Sequence, residues 1–339
     1  MARTQFKNYA LIFISWLIVQ GVLLFKNGVV NTGEAITYIG EADSMLLTGE
    51  ASSVNFWQYS VQSFLIVLDK LLNANFWFAV GVQMFISLLA TFSFYKLASY
   101  IFSTSVGVLC TIILLLNYPY QEFNTFLQTE SLYCSFVILF SSYLLRRTSF
   151  LAKEIAIALF FLVLISATRP TGILFILPAA FYILFYFRDK IRASYIFVIA
   201  FSCLLFFLAI LNISMSRGGR FDFMFPFKMN YGVCYIPEFS SPVNIKVTAN
   251  GNSLYGLFYY ITHNFGHFSY LAVKKTIAFF GLARHYFSPA HNIFLVIYFY
   301  PMYLMSVLSV RSWIKDNSRY LLYFASVLLM VLGSIILTC

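Results

Sequence analysis

Apolar residues recur along this chain in runs that approach the roughly 17–25 residues a helix needs to cross a bilayer. The runs lie at 9–25, 76–95, 106–116, 132–145, 155–168, 173–187, 195–213, 291–310 and 320–337. Those at 106–116 and 132–145 are short as written and are expected to extend at both ends. The pattern predicts an all-α, polytopic transmembrane bundle of about nine spans, with 1–339 as a single integral membrane domain. Two long connections interrupt it, a first outer loop at 26–72 and a large outer loop at 214–289. Within the first, 58–72 is short and broken by Asp69 and Lys70, so it reads as an interfacial helix. Within the second, the apolar stretch 254–280 is broken by His263, Asn264, Gly266, His267, Lys274 and Lys275, which suits one or two amphipathic helices lying in the interface.

Composition agrees with this pattern. Hydrophobic residues make up 61% of the 339 positions and charged ones only 10%, against about 25% charged in soluble globular domains. The net charge of +10 would point to nucleic acid in a soluble protein. Here most basic residues flank apolar runs, as topology signals do, so nucleic acid is not an expected partner. The nine-span assignment puts Arg3, Lys7, Lys96, Arg146, Arg147, Lys153, Arg188, Lys190, Arg192, Arg311, Lys315 and Arg319 inside, with only Glu154, Asp189 and Asp316. The remaining acids, Glu34, Glu41, Asp43, Glu50, Asp69, Glu122, Glu130, Asp222 and Glu238, all fall outside, so chemistry is expected on the outer face. No small-x-small cleavage site follows the first run, which therefore reads as an uncleaved span starting inside. Cys110, Cys134 and Cys203 lie in apolar runs as packing residues, while Cys234 and Cys339 fall near the outer side, where a bridge is conceivable but not favoured.

The most informative polar stretch is GEAITYIGEADSMLLTG, from Gly33 to Gly49. As a helix over 34–47 it places Glu34, Tyr38, Glu41 and Met45 on one face and Ile36, Ile39, Asp43, Leu46 and Leu47 on the other. Asp43 then sits in an apolar stripe, where a carboxylate must be paired, neutral or facing a wet cleft. Glu34 has a plain reading, an acid at the positive end of a helix dipole, and a sharper one, a catalytic carboxylate on a membrane-surface helix. Two further outer features are Gln128–Ser131 at the start of one run and Thr168–Gly172 between two others. Glu130 and Arg169 can form a structural ion pair or contact substrate. The outer cations Arg217, Arg220, Lys228, Lys246, Lys274, Lys275, Arg284 and His285 suit a lipid-linked phosphate. His263 and His267 lack a third metal ligand in sequence, and Gly-rich phosphate loops, Ser-His-Asp spacing and CxxC motifs are missing.

The order of features, GEAITYIGEADSMLLTGE, FWQYSVQSFLIVLDKLL, NYPYQEFNTFLQTESLY and ATRPTGILFILP, resembles that of the GT-C membrane glycosyltransferases over residues 5–310. That superfamily includes the polyprenyl- and dolichyl-phosphate-sugar-dependent mannosyltransferases and the aminoarabinose transferase acting on lipid A. The resemblance implies a polyprenyl-phosphate sugar donor, a lipid or glycan acceptor, an outward-facing site in a bacterial inner (plasma) membrane, and no cofactor. It also implies an acid in the first outer loop as base. Glu34 and Asp43 are the positions that match, with the choice between them open. Tyr38, Glu130, Arg169, Lys274, Lys275, Arg284 and His285 are then the candidate substrate-binding residues. Relatives usually continue past the point reached at Cys339, which implies a minimal member or a fragment. A transporter or flippase of lipid-linked sugars is the alternative, and a non-catalytic envelope subunit a third.

Overall fold

The computed structural model describes residues 2–52, 54–187, 192–215, 223–233, 236–237, 244–316 and 318–337. The calls on Arg188, Asp189, Lys190, Arg217, Arg220, Asp222, Cys234, Glu238 and Cys339 lie outside those residues. The fold is all-α. In chain order the first helices are α1 (Ala2–Asn27), α2 (Ala35–Thr48), α3 (Ser60–Leu71), α4 (Trp77–Ile101), α5 (Thr104–Leu115), α6 (Tyr118–Glu122), α7 (Thr129–Leu145) and α8 (Ala152–Thr168). There follow α9 (Ile176–Phe187), α10 (Ala193–Met215), α11 (Phe225–Lys228), α12 (Leu254–His263), α13 (Phe265–Gly281), α14 (Pro289–Asp316) and α15 (Ser318–Leu337). Short 3-10 turns cover Val54–Tyr59, Phe123–Thr125 and Pro170–Phe175, and a small antiparallel ribbon pairs β1 (Tyr231–Val233) with β2 (Ile236–Pro237). Contacts divide the chain into two compact units, 1–173 and 174–339.

In the first unit α4 is the central helix, packed against α1, α3, α5 and α7. Its inward face carries the fully buried Gln83, Ser87 and Thr91, while Trp77, Phe85 and Leu89 point outward. This is the reverse of a water-soluble helix. Polar side chains in an apolar solvent need partners inside the protein, and those three find them, Thr91 by donating to the Ser87 carbonyl (2.8 Å). Gln62 donates to Gln83 (3.0 Å), Gln83 donates to the carbonyl of Phe126 (2.9 Å), and Asn124 donates to Ser87 (3.1 Å). Ser131 donates to Asn124 (2.5 Å), and Gln20 of α1 donates to Gln121 (2.7 Å). Asp69, which interrupts the apolar pattern, caps α4: its two oxygens accept from the backbone N–H groups of Phe76 (2.7 Å) and Ala79 (2.8 Å). That cap holds a turn in which Asn73, Asn75 and Phe76 all have positive φ.

The second unit packs α9 against α10 and α15, α13 against α12, α15 and β1, and α14 against α15. Met215, Met224, Phe227, Leu257, Tyr260 and Leu271 form its core. Lys275, 2% exposed, enters that core with Nζ 4.8 Å over the Phe227 ring and donates to the carbonyl of Ile336 (3.2 Å). Burial pushes its pKa down to about 8. His267 joins Tyr260 (2.6 Å) to Asn230 (2.7 Å). The Asn230 oxygen only accepts, so Nε2 carries the proton and Nδ1 accepts from the Tyr260 hydroxyl. Burial lowers the His267 pKa, in keeping with that neutral ring.

Five described helices, Gln5–Asn27, Trp77–Ile101, Pro170–Phe187, Pro289–Lys315 and Arg319–Leu337, are long and apolar enough to cross a bilayer. Thr104–Leu115 and Tyr118–Thr125, bent by 64°, make a sixth if they are one broken span. Along α1 and α14 large apolar side chains such as Ile18, Val22, Val307 and Leu308 face outward, far more apolar surface than a soluble monomer exposes. The chain is a multi-pass membrane protein. The expected count of nine is not reached by length. The runs at 132–145 and 155–168 fall in α7 and α8, each 17 residues. At 1.5 Å per residue such a helix extends about 25 Å, short of a hydrocarbon core of about 30 Å.

Candidate functional site

The acidic stretch folds as α2, one residue displaced from the expected helix. Gly33 (φ 66°) turns the chain into it, and Gly49 (φ 74°) ends it with its N–H on the carbonyl of Met45 (3.0 Å). Ala35, Tyr38, Glu41 and Ala42 form the buried face, which packs on Ile66 of α3. Ile36 and Leu47 (85% exposed) are on the outward side with Asp43. The charge in the apolar stripe is resolved by pairing: the Asp43 carboxylate, 51% exposed, accepts from Lys70. Glu41 is buried and holds the following loop. One of its oxygens accepts from the backbone N–H of Ser52 (2.7 Å) and the other from the Ser52 hydroxyl.

A single backbone bridge brings distant segments to Glu34. The N–H of Val30 donates to Thr125 (2.9 Å) and the N–H of Leu127 donates to Val30 (3.0 Å). Gly33 therefore lies against Gln128, whose Nε2 would be 3.7 Å from a Cβ at that position. The start of α7, with Thr129 and Glu130, follows directly. Arg169 arrives from the end of α8 in an extended conformation (φ −155°, ψ 141°), as a residue before proline prefers. Gly172 folds back, donating to the Arg169 carbonyl (2.8 Å), and approaches α8 so closely that a Cβ there would collide with the Ile165 carbonyl. Arg169 then donates to Oε1 of Glu130.

Glu34, Tyr38, Tyr59, Glu130 and Arg169 form one electrostatic cluster. The Tyr38 and Tyr59 rings are 5.6 Å apart. Burial raises the Tyr38 pKa, with the Thr129 hydroxyl acting against it and Glu34 adding to it. Burial likewise raises that of Tyr59, which Arg169 opposes and Glu34 and Glu130 reinforce. Both phenols are neutral donors. Burial disfavours the Arg169 cation, but the Glu130 carboxylate more than restores it and the net shift is upward. Side-chain exposure is 34% for Arg169 and 19% for Glu130, and Glu34 is exposed. The second Glu130 oxygen is buried without a hydrogen-bond partner, a costly state for a charged acceptor. The arrangement is an open carboxylate beside two phenols and a half-buried guanidinium. It can take a proton from a hydroxyl, and the guanidinium keeps donors for an anion beyond the one given to Glu130.

The other expected binding residues belong to the second unit and are described within it. Lys274 lies 5.4 Å over the Tyr270 ring, and Lys275 is in the core. Arg284 donates to the carbonyls of Ala278 and Ala283 at the end of α13, and His285 is exposed with its ring edge-on to Tyr286. His263 stacks on Tyr259 at 3.9 Å, away from the His267 hydrogen bonds. Sequence reading missed Tyr59 and the pairing of Lys70. Tyr59 carries no periodic link to Tyr38, and in a chain that is 20% aromatic one more tyrosine is no signal. Lys70 was legible only as a break in an apolar segment. No protein-family model, curated protein or solved structure matches this chain.

Proposed function

We propose that this multi-pass membrane protein is a GT-C-type glycosyltransferase. It moves a sugar from a polyprenyl phosphate to a lipid or glycan acceptor on the outer face of the membrane, with inversion. In the topology that goes with this reading, α7, α8 and the other short apolar helices complete nine crossings, tilting little or thinning the bilayer around them. The observation that carries the proposal is the convergence of Glu34, Tyr38, Tyr59, Glu130 and Arg169, three separate acidic or basic segments of the sequence brought to one place. The acceptor oxygen bonds to the anomeric carbon as the carbon–oxygen bond to the lipid phosphate breaks. The hydroxyl proton goes to Glu34, and the departing phosphate keeps the electron pair, its charge stabilised by Arg169. Tyr59, only partly buried, supplies a hydroxyl donor and a ring face to the sugar, and the buried Tyr38 ring packs beside it and holds it in place. Asp43 is the second choice for base because Lys70 already holds it.

Glu34→Gln is expected to keep the fold and to lower transfer by about 10² or more, the usual scale for losing a general base. Asp43→Asn should be the milder change. Turnover of a synthetic polyprenyl-phosphate sugar by purified protein measures both, and near-normal rates in the two variants would remove this loop as the source of the base. A transporter of lipid-linked sugars is the second reading, favoured by the 64° break between Thr104–Leu115 and Tyr118–Thr125, since broken helices often form transport sites. Against it, the break at Leu116 and Asn117 carries no ionisable side chain. Donor translocation in sealed vesicles without new glycan would select the transporter.

A further inference from the structure

Within the second unit a cavity of about 460 Å³ opens between the end of α11 and the 247–253 loop that leads into α12. The volume falls in the roughly 300–1,000 Å³ range of small-molecule sites. Lys228, Thr248, Asn250, Asn252 and Tyr255 are among the residues that line it. The loop is held in shape. Asn252 accepts from the backbone N–H of Met224 (3.1 Å), and Ser253 donates to the carbonyl of Asn250 (2.7 Å) while accepting from the N–H of Gly256 (3.0 Å). Gly256 packs so tightly on the carbonyls of Asn250 and Gly251 that a Cβ there would overlap them.

The chemistry of the wall narrows the ligand. Among the described residues, amides, hydroxyls and one cation line it, so a purely apolar ligand is a poor match. The start of α12 does not offer a nest of open N–H groups for a phosphate: Asn212 accepts from Leu254 (2.9 Å) and Ser253 accepts from Gly256. At the rim Tyr255 is 65% exposed, and the aromatic surface continues along α12 to Tyr259 (6.5 Å) and His263. Thr248, which also lines the cavity, has a hydroxyl oxygen buried without a hydrogen-bond partner, a costly state. A ligand with closely spaced hydroxyls matches amides that both donate and accept. One that also has a flat C–H face matches an exposed aromatic ring. Sugars have both.

We propose that this cavity binds a short saccharide, with Tyr255 as the stacking platform and Lys228, Thr248 and Asn250 as hydrogen-bonding groups. The inference goes beyond glycosyl transfer, because binding here requires no donor and can be measured in its absence.

The test is calorimetric titration of the full chain, in nanodiscs free of sugar-based detergent, with a panel of neutral, N-acetylated and uronic-acid mono- and disaccharides. Saturable binding of at least one panel member is expected. Tyr255→Ala should weaken it about tenfold, Tyr255→Phe should leave it within about twofold, and Asn250→Ala should weaken it measurably. Tyr255 and Asn250 are exposed, so the variants are expected to fold, which their unchanged melting temperatures would verify. The inference is overturned if no panel member saturates, or if folded Tyr255→Ala and Asn250→Ala bind as the parent does. It is equally overturned if inorganic phosphate competes with the saccharide and Lys228→Gln abolishes both, which would make the cavity an anion site.

Discussion

Arg169 is the residue at which architecture and chemistry meet. Its pairing with Glu130 is plain in the structure, yet a single hydrogen bond leaves most of the guanidinium's donors for other work. Removing it strands a carboxylate that is already one partner short, so Arg169→Ala should cost roughly 1–3 kcal/mol of stability. Changing Glu130→Gln as well should recover most of that loss, since the stranded charge disappears with it. Donor binding should behave differently: Arg169→Lys keeps the charge without the fork, so the protein should stay folded while affinity for the lipid phosphate falls, and the Glu130 change should not restore it. Melting temperature and donor binding on these variants separate the two roles, and recovery of both in the double variant would leave Arg169 as a structural residue.

At the scale of elements, the turn joining α8 to the Pro170–Phe175 segment shows how a short motif does its work. The sequence ATRPTG reads as a helix end followed by a break, but the reason for its glycine lies in three dimensions: residue 172 is pressed against the last turn of α8. Gly172→Ala forces a methyl group into the Ile165 carbonyl and should destabilise the protein by about 1–3 kcal/mol, with Arg169 displaced and transfer reduced. Gly40 is the matched control. It sits on the exposed side of α2 with nothing within 4 Å of an added Cβ, so Gly40→Ala should be neutral or stabilising by up to about 1 kcal/mol. Thermal unfolding of the two variants side by side checks the contrast, and equal melting temperatures would mean that the close approach at Gly172 carries no energetic weight.

For the whole molecule, the arrangement of charges along the chain yields an orientation. Basic residues gather at 146–153 and 311–319, while Glu34, Glu41 and Asp43 sit after the first apolar helix. If the positive-inside rule holds for this chain, as the proposed function requires, the former face the cytoplasm and the first loop lies outside. In a chain whose 5 native cysteines have been replaced, a cysteine at position 52 should react with an impermeant thiol reagent in intact cells. Cysteines at 149 and 315 should react only after the membrane is opened. The reverse pattern would invert the topology and remove the proposed outward-facing transfer.

Much of the architecture was written in local pattern. Long apolar runs dictate helices because, away from water, a backbone must satisfy its own hydrogen bonds, and this holds whatever the helices later touch. The bounds of α2 were equally legible, since glycine at both ends marks positions where the backbone must take positive φ. What the linear chain left undetermined was which polar groups meet. The bridge between Val30 and Phe126 ties the segment before Glu34 to the one before Glu130, Glu34 acts on Tyr38, Tyr59 and Arg169, and Asp43 finds Lys70 on the outside of α2. Tyr59 joins Tyr38 only because α2 lies on α3. Such pairings depend on hydrogen bonds and packing between segments far apart in sequence, where neither a period nor a composition leaves a trace. That Glu34 and Asp43 fall on different faces follows from the helical period alone, but which partners each meets was decided by tertiary structure: Asp43, on the face of α2 that no protein surface covers, pairs with Lys70, while Glu34 joins Tyr38, Tyr59 and Arg169.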